Sequence, residues 1–96
     1  MLNEEEIHVM EHALGIEHAW DTHGYHYKRH GKQYIKSYRN YYLTTNNDKN
    51  WSKLLENGFA SSFISPYDKD YIYFQVTDEG IAKLEKQQNY IVKFID

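Results

Sequence analysis

The stretch "WSKLLENGFASSFISPYDKDYIYFQVTDEGIAKLEK", residues 51–86, constrains the fold more than any other part of the chain. Trp51, Leu54 and Leu55 share one helical face, with a cap expected at Asn46 or Asn47. Gly58 is placed to end that helix, and Phe59 to pack back on its last turn. "FASSFIS" and "YIYFQV" are strand-forming runs on either side of "PYDKD", a turn opened by Pro66, and together they predict a hairpin. The second strand ends at Val76. Thr77 then serves as a helix cap, and Asp78 and Glu79 complement the positive end of the helix dipole. Gly80 sits in the first turn, where it gives up about 1 kcal/mol of helix propensity. A missing Cβ there lets the hairpin or a neighbouring helix lie against the helix start. The final helix is predicted from Asp78 to Ile95, with Ile81, Leu84, Ile91 and Ile95 along one stripe and Gln88 interrupting it.

Upstream, Asn3 and Glu6 have the spacing of a capping box, and Glu4 and Glu5 favour the same helix end. Ile7, Met10 and Leu14 mark one face, and Gly15 stands where a left-handed stop residue belongs, so a helix is predicted over Glu4–Leu14. Residues 16–37 show no clean period and read as a long loop with at most a short turn or strand inside it. "SYRNYYLTT", residues 37–45, is β-branched and aromatic and reads as a strand. The expected order is helix, long loop, strand, helix, β-hairpin, C-terminal helix. Residues 1–96 form one small α+β domain, enough for a single modest core.

That core must hold without covalent help. There is no cysteine, which excludes disulfides and thiolate metal sites and fits a reducing compartment. No apolar run approaches the roughly 20 residues that span a membrane, and "MLNEEEIHVM" is acidic where a signal peptide would be basic. A cytoplasmic protein without membrane partners is expected.

Charge is unevenly distributed. Residues 1–21 carry six acids and no Lys or Arg, whereas residues 22–47 carry Lys28, Arg29, Lys32, Lys36 and Arg39 and no acid. In this basic segment Tyr25, Tyr27 and Tyr34 alternate with the cations. Three readings follow. The segment folds over the acidic first helix, or it lines phosphates while its tyrosines stack on bases, or it docks on an acidic protein. A whole-chain pI of about 6.0 weighs against nucleic acid. Tyrosine and arginine are enriched in protein interfaces, so the residues assigned to partner binding are Tyr25, Tyr27, Lys28, Arg29, Lys32, Tyr34, Lys36 and Arg39. Gly15, Gly58, Thr77 and Gly80 are assigned structural roles.

Residues 51–86 resemble the second half of a winged-helix domain of the MarR or PadR type, in which a Leu-rich, Gly-terminated recognition helix leads into a β-hairpin wing. The wing of those proteins is left through a Leu-Thr-x-x-Gly-x-x-x-Leu junction, here Val76, Thr77, Gly80 and Leu84. The resemblance implies a winged-helix-like domain, with DNA-binding transcriptional regulation as one function. Three features depart from a working reader. A strand-like segment stands where the supporting helix belongs. The presumptive recognition helix is nearly neutral, and the wing tip carries Asp68, Lys69 and Asp70. The chain is also similar, through "HALG" (12–15), "YRNYY" (38–42), "LLENGF" (54–59) and "VTDEGIAKL" (76–84), to small proteins encoded by bacteriophages and prophages. That likeness implies a phage accessory protein in a bacterial host cell, and the function expected is non-enzymatic binding that modulates a host or anti-phage defence protein.

For metal chemistry, His8 and His12 are spaced i, i+4 on the first helix, and His23, His26 and His30 follow in the loop, but no HExxH motif is present. Packing or surface roles are expected, with no metal and no cofactor. No nucleophile elbow, Gly-rich phosphate loop or spaced acid pair points to an enzyme. The C-terminal stripe, with Val92 and Phe94 beside it, either closes the core or pairs two copies as a dimer helix. The homodimer is the reading taken.

Overall fold

A computed structural model describes residues 1–16 and 26–94. Helix α1 (Glu4–Leu14) starts in the expected capping box, with Asn3 Oδ1 accepting from Glu6 N–H (2.8 Å) and Glu6 Oε1 accepting from Asn3 N–H (2.9 Å). Gly15 follows at φ 70°, and the Gly15 and Ile16 amides donate to the carbonyls of His12 and Glu11. A Cβ on Gly15 would meet the Tyr38 ring at 2.6 Å, so conformation and space both require glycine there.

The segment expected as a loop contains a β-hairpin. Strand β1 (His26–Arg29) pairs antiparallel with β2 (Lys32–Ser37), and His30 and Gly31 both take positive φ, 54° and 77°, at the two-residue turn. Two positive φ values give the primed turn whose twist matches a hairpin. Tyr25 and residues 16–25 of the predicted loop, Ile16 apart, lie outside the described residues. Strand β3 (Tyr42–Thr45) begins later than the sequence suggests. The cause is Asn40, whose side-chain amide donates to Val76 C=O (2.9 Å) and accepts from Val76 N–H (2.8 Å), taking the ladder position that a backbone pair would hold.

Helix α2 (Lys49–Glu56) is capped by Asp48, not by Asn46 or Asn47, through Asp48 Oδ1 accepting from Trp51 N–H (3.1 Å). It stops as expected. Gly58 turns left-handed at φ 78°, Gly58 N–H donates to Leu55 C=O and Phe59 N–H to Leu54 C=O. Strands β4 (Ala60–Ile64) and β5 (Tyr71–Val76) form the predicted hairpin, and β3 adds to its other side in the order β3-β5-β4. Helix α3 begins at Asp78 under Thr77, whose Oγ1 accepts from Gly80 N–H (3.1 Å) and donates to Gly58 C=O (2.7 Å).

The helix predicted to reach Ile95 ends at Gln88. Asn89 takes the left-handed conformation at φ 61°, which asparagine tolerates better than most residues, and the chain continues as β6 (Ile91–Phe94), parallel to β2. Ile91 is therefore on a strand, and Ile95 lies outside the described residues. The continuous apolar helix stripe proposed for dimerisation does not exist, because Ile81 and Leu84 are separated from Ile91 by this reversal.

Between the three-stranded sheets β1-β2-β6 and β3-β5-β4 runs one core. Trp51 is fully buried at its centre, stacked on Phe74 (5.3 Å between centroids) and tilted against Tyr42 (5.4 Å). Met10, Leu14, Ile35, Leu54 and Leu84 belong to the same core. Helix α1 packs on α2, β3 and β5, and the Gln87 amide brackets the Leu2 backbone at 2.7 and 2.8 Å, tying the first residues to α3.

Tyr90, just before β6, is buried and donates its hydroxyl to Glu11 Oε2 (2.9 Å). Burial first, then the negative charge of Glu11 and of Glu85, holds the phenol far above its ordinary pKa. A phenol raised in the folded state gives stability that is complete below the unfolded value of about 10 and is lost as pH rises above it. Wild type is therefore expected to lose up to ~1.4 kcal/mol per pH unit more than Tyr90→Phe above that point. Urea melts of both proteins across that range check this. Parallel pH curves would show that Tyr90 ionises in the folded state as freely as in the unfolded one.

Candidate partner-binding face

In paired strands, residues opposite one another share a face. The β1–β2 register joins Tyr27 to Tyr34 and Arg29 to Lys32, and the β2–β6 register joins Tyr34 to Ile91 and Lys36 to Lys93. One face of this sheet thus carries Arg29, Lys32, Lys36 and Lys93 around two tyrosines, and among the described residues no carboxylate shares it. The opposite face carries Ile35, Ser37 and Val92, all buried against the core. Their burial fixes the register and so forces the cations outward.

The rings organise the charge. Tyr27 and Tyr34 stack nearly parallel, 5.1 Å apart and 8° from coplanar. Lys36 Nζ lies 5.7 Å from the Tyr27 centroid and Lys93 Nζ 5.9 Å from that of Tyr34. Such cation–π contacts are worth about 0.5–1 kcal/mol at exposed sites. They hold two flexible ammonium groups over the ring pair, which reduces the entropy a partner would otherwise have to remove. Arg29 and Lys32 stand exposed at the turn end.

Of the residues assigned from sequence, Tyr27, Arg29, Lys32, Tyr34 and Lys36 are brought together here. Lys28 points to the opposite face beside Gln33, and with Glu85 and Lys86 it lines an open cleft of about 750 Å³ of mixed charge that reaches round the turn end to Lys32. Arg39 is elsewhere. Its guanidinium donates to the His12 carbonyl through Nη2 (2.6 Å) and Nε (3.2 Å), at the negative end of α1, and lies over the rings of Tyr38 and Tyr41. It clamps a helix end. Lys93 carries no local signal of this placement in the sequence, where "IVKF" continues the apolar spacing of the predicted terminal helix.

The described part of the basic segment leaves the start of α1 open. Glu4 and Glu5 are exposed, and Glu6 is occupied by the capping box. For the histidines, His12 sets its ring edge-on to Tyr42 (5.2 Å), His30 forms the hairpin turn, and His23 and the side chain of His26 lie outside the described residues. No group of three metal-ligating side chains gathers among the described residues. No described helix is long and apolar enough to cross a membrane. Comparison with known protein families, with curated proteins and with solved structures finds no match.

Proposed function

We propose that the protein is a non-enzymatic binding module that docks an acidic protein surface onto the face formed by Arg29, Lys32, Lys36 and Lys93. The observation that carries this reading is the Tyr27–Tyr34 stack with a lysine over each ring. A platform for single-stranded nucleic acid needs free ring faces on which bases stack. Here one side of each ring is turned to the other tyrosine and a lysine lies over each ring, so the face offers fixed ammonium groups and not stacking surface. Carboxylates on a folded partner meet that geometry directly, and complementary charge speeds their encounter. With the phage-like segments of the sequence, the partner is a host or defence-system protein in a bacterial cell, modulated by occlusion of its acidic surface.

We read β3, α2, β4, β5 and α3 as a winged-helix-like unit serving as scaffold. The sheet order β3-β5-β4 and the Thr77–Gly80 junction support that reading. The DNA-binding alternative would use α2 and the β4–β5 turn, where Lys49 and Lys53 are offset by Asp48 and Glu56 and Lys69 by Asp68 and Asp70. Lys69→Ala is accordingly expected to leave any nucleic-acid affinity in a low-salt gel shift unchanged within about twofold, since one exposed charge beside two acids contributes little. A large loss would move the interface to the wing.

The function is tested by capture from bacterial lysate on immobilised protein, with and without nuclease. The expected result is a stoichiometric protein that survives nuclease and elutes with moderate salt. Capture that disappears with nuclease would replace the protein partner by nucleic acid.

A further inference from the structure

The outer face of the other sheet carries a second surface that no other described element covers. Leu43, Tyr73 and Phe63 lie in register across β3, β5 and β4, pointing away from Trp51 and Phe74. Phe63 stacks on Tyr73 (5.1 Å, 17°), and Tyr41 meets Tyr73 edge-on (6.3 Å, 71°). About half of Tyr41, Leu43 and Phe63 remains exposed, and Tyr67 at the turn is 92% exposed. These rings, with Pro66 and Gln75, line a groove of about 630 Å³. Contiguous apolar surface of this kind on a small domain marks an interaction site.

We propose that this groove binds a proline-rich segment of another protein in the polyproline II conformation. The chemistry of the lining selects that occupant. None of the lining residues is charged, which disfavours nucleic acid and acidic peptides. The groove lies on the sheet face, so the backbone ladder that an added strand requires is not offered there. A polyproline II chain needs no ladder. It sets its rings into aromatic-lined grooves and leaves its carbonyls free for single donors, here the hydroxyls of Tyr41, Tyr67 and Tyr73 and the Gln75 amide. A second copy of the chain on the same face is the competing occupant, and self-association is one outcome of the test. Arg39, held over Tyr41 at 5.8 Å, places one positive charge at one end and favours a ligand with an acidic residue there.

The test is titration of the ¹⁵N-labelled full chain with deca-L-proline, and with a Gly-Ser peptide of equal length as control. Saturable amide shifts at Tyr41, Phe63, Tyr73 and Gln75 are expected with the proline peptide alone. Tyr67→Ala and Phe63→Ala should each weaken binding roughly 10- to 30-fold, as truncation of an aromatic hot spot does. Tyr67 is almost fully exposed, so its variant keeps the test valid if Phe63→Ala disturbs the sheet. Arg29→Gln with Lys32→Gln and Lys93→Gln should leave this binding unchanged, which separates the groove from the basic face. No saturable shift, equal response to the Gly-Ser peptide, or self-association abolished by Tyr67→Ala would overturn the proposal.

Discussion

Replacing Gly80 with alanine is expected to destabilise the protein by about 1–3 kcal/mol, although alanine is the better helix former by about 1 kcal/mol. The Phe59 carbonyl explains the sign. It lies where the Cβ would stand, with the carbonyl carbon at 3.0 Å and Val76 Cγ1 at 2.8 Å from that position. The Phe59 oxygen cannot withdraw freely, because it accepts from Thr77 N–H (3.0 Å), and the preceding Gly58 carbonyl accepts from Thr77 Oγ1 (2.7 Å). Both acceptors belong to the exit of α2. The added methyl would therefore separate the end of one helix from the start of the next and break the bonds that join them. Leucine should cost at least as much. Denaturant melts of the alanine variant check this, and a variant as stable as wild type would show that the Phe59 backbone can give way.

Much of this was readable from the sequence, and the reasons are local. The first helix, the stop at Gly58, the hairpin and the Thr77 cap are set by residues whose conformational preferences act within a few positions of where they stand. The failures are also physical. "HYKRHGKQYIKS" hides a hairpin because its outer face carries tyrosines and cations while Lys28 and Gln33 face the other way, so no apolar alternation appears. Its turn is His-Gly, without the Asn or Asp that usually announces positive φ. The end of α3 was missed because Asn89 does the work of a glycine, and the apolar residues after it continue a helical spacing by coincidence. Asn40 could not be read as a strand substitute, since its partner Val76 is 36 residues away. The basic face was half legible. The charge block supplied three of its cations, and the fourth, Lys93, comes from the far end of the chain through a parallel pairing with no local signal.

The second large effect is expected from neutralising that face. Arg29→Gln, Lys32→Gln and Lys93→Gln together remove three of its four positive charges and leave Lys36 packed over Tyr27. All three side chains are exposed. The change in stability should therefore stay within ~1 kcal/mol, the size of a surface charge contact or of the Lys93–Tyr34 interaction. Association with the captured protein should slow by ~10- to 1,000-fold at low salt, the range that electrostatic steering covers, and its salt dependence should flatten. Lys28→Gln is the control. It removes charge from the same hairpin but from the opposite face, and should leave association nearly unchanged. Equal losses in both variants would mean that overall charge, and not this face, governs the encounter.

Hydrogen exchange of the protein with and without its captured partner tests docking through the basic face most directly. The expected footprint is protection of amides in β1, β2 and β6 on complex formation, with α2 and the β4–β5 turn unchanged. Protection centred on α2 and the β4–β5 turn, with β1 and β2 exchanging as in the free protein, would contradict it.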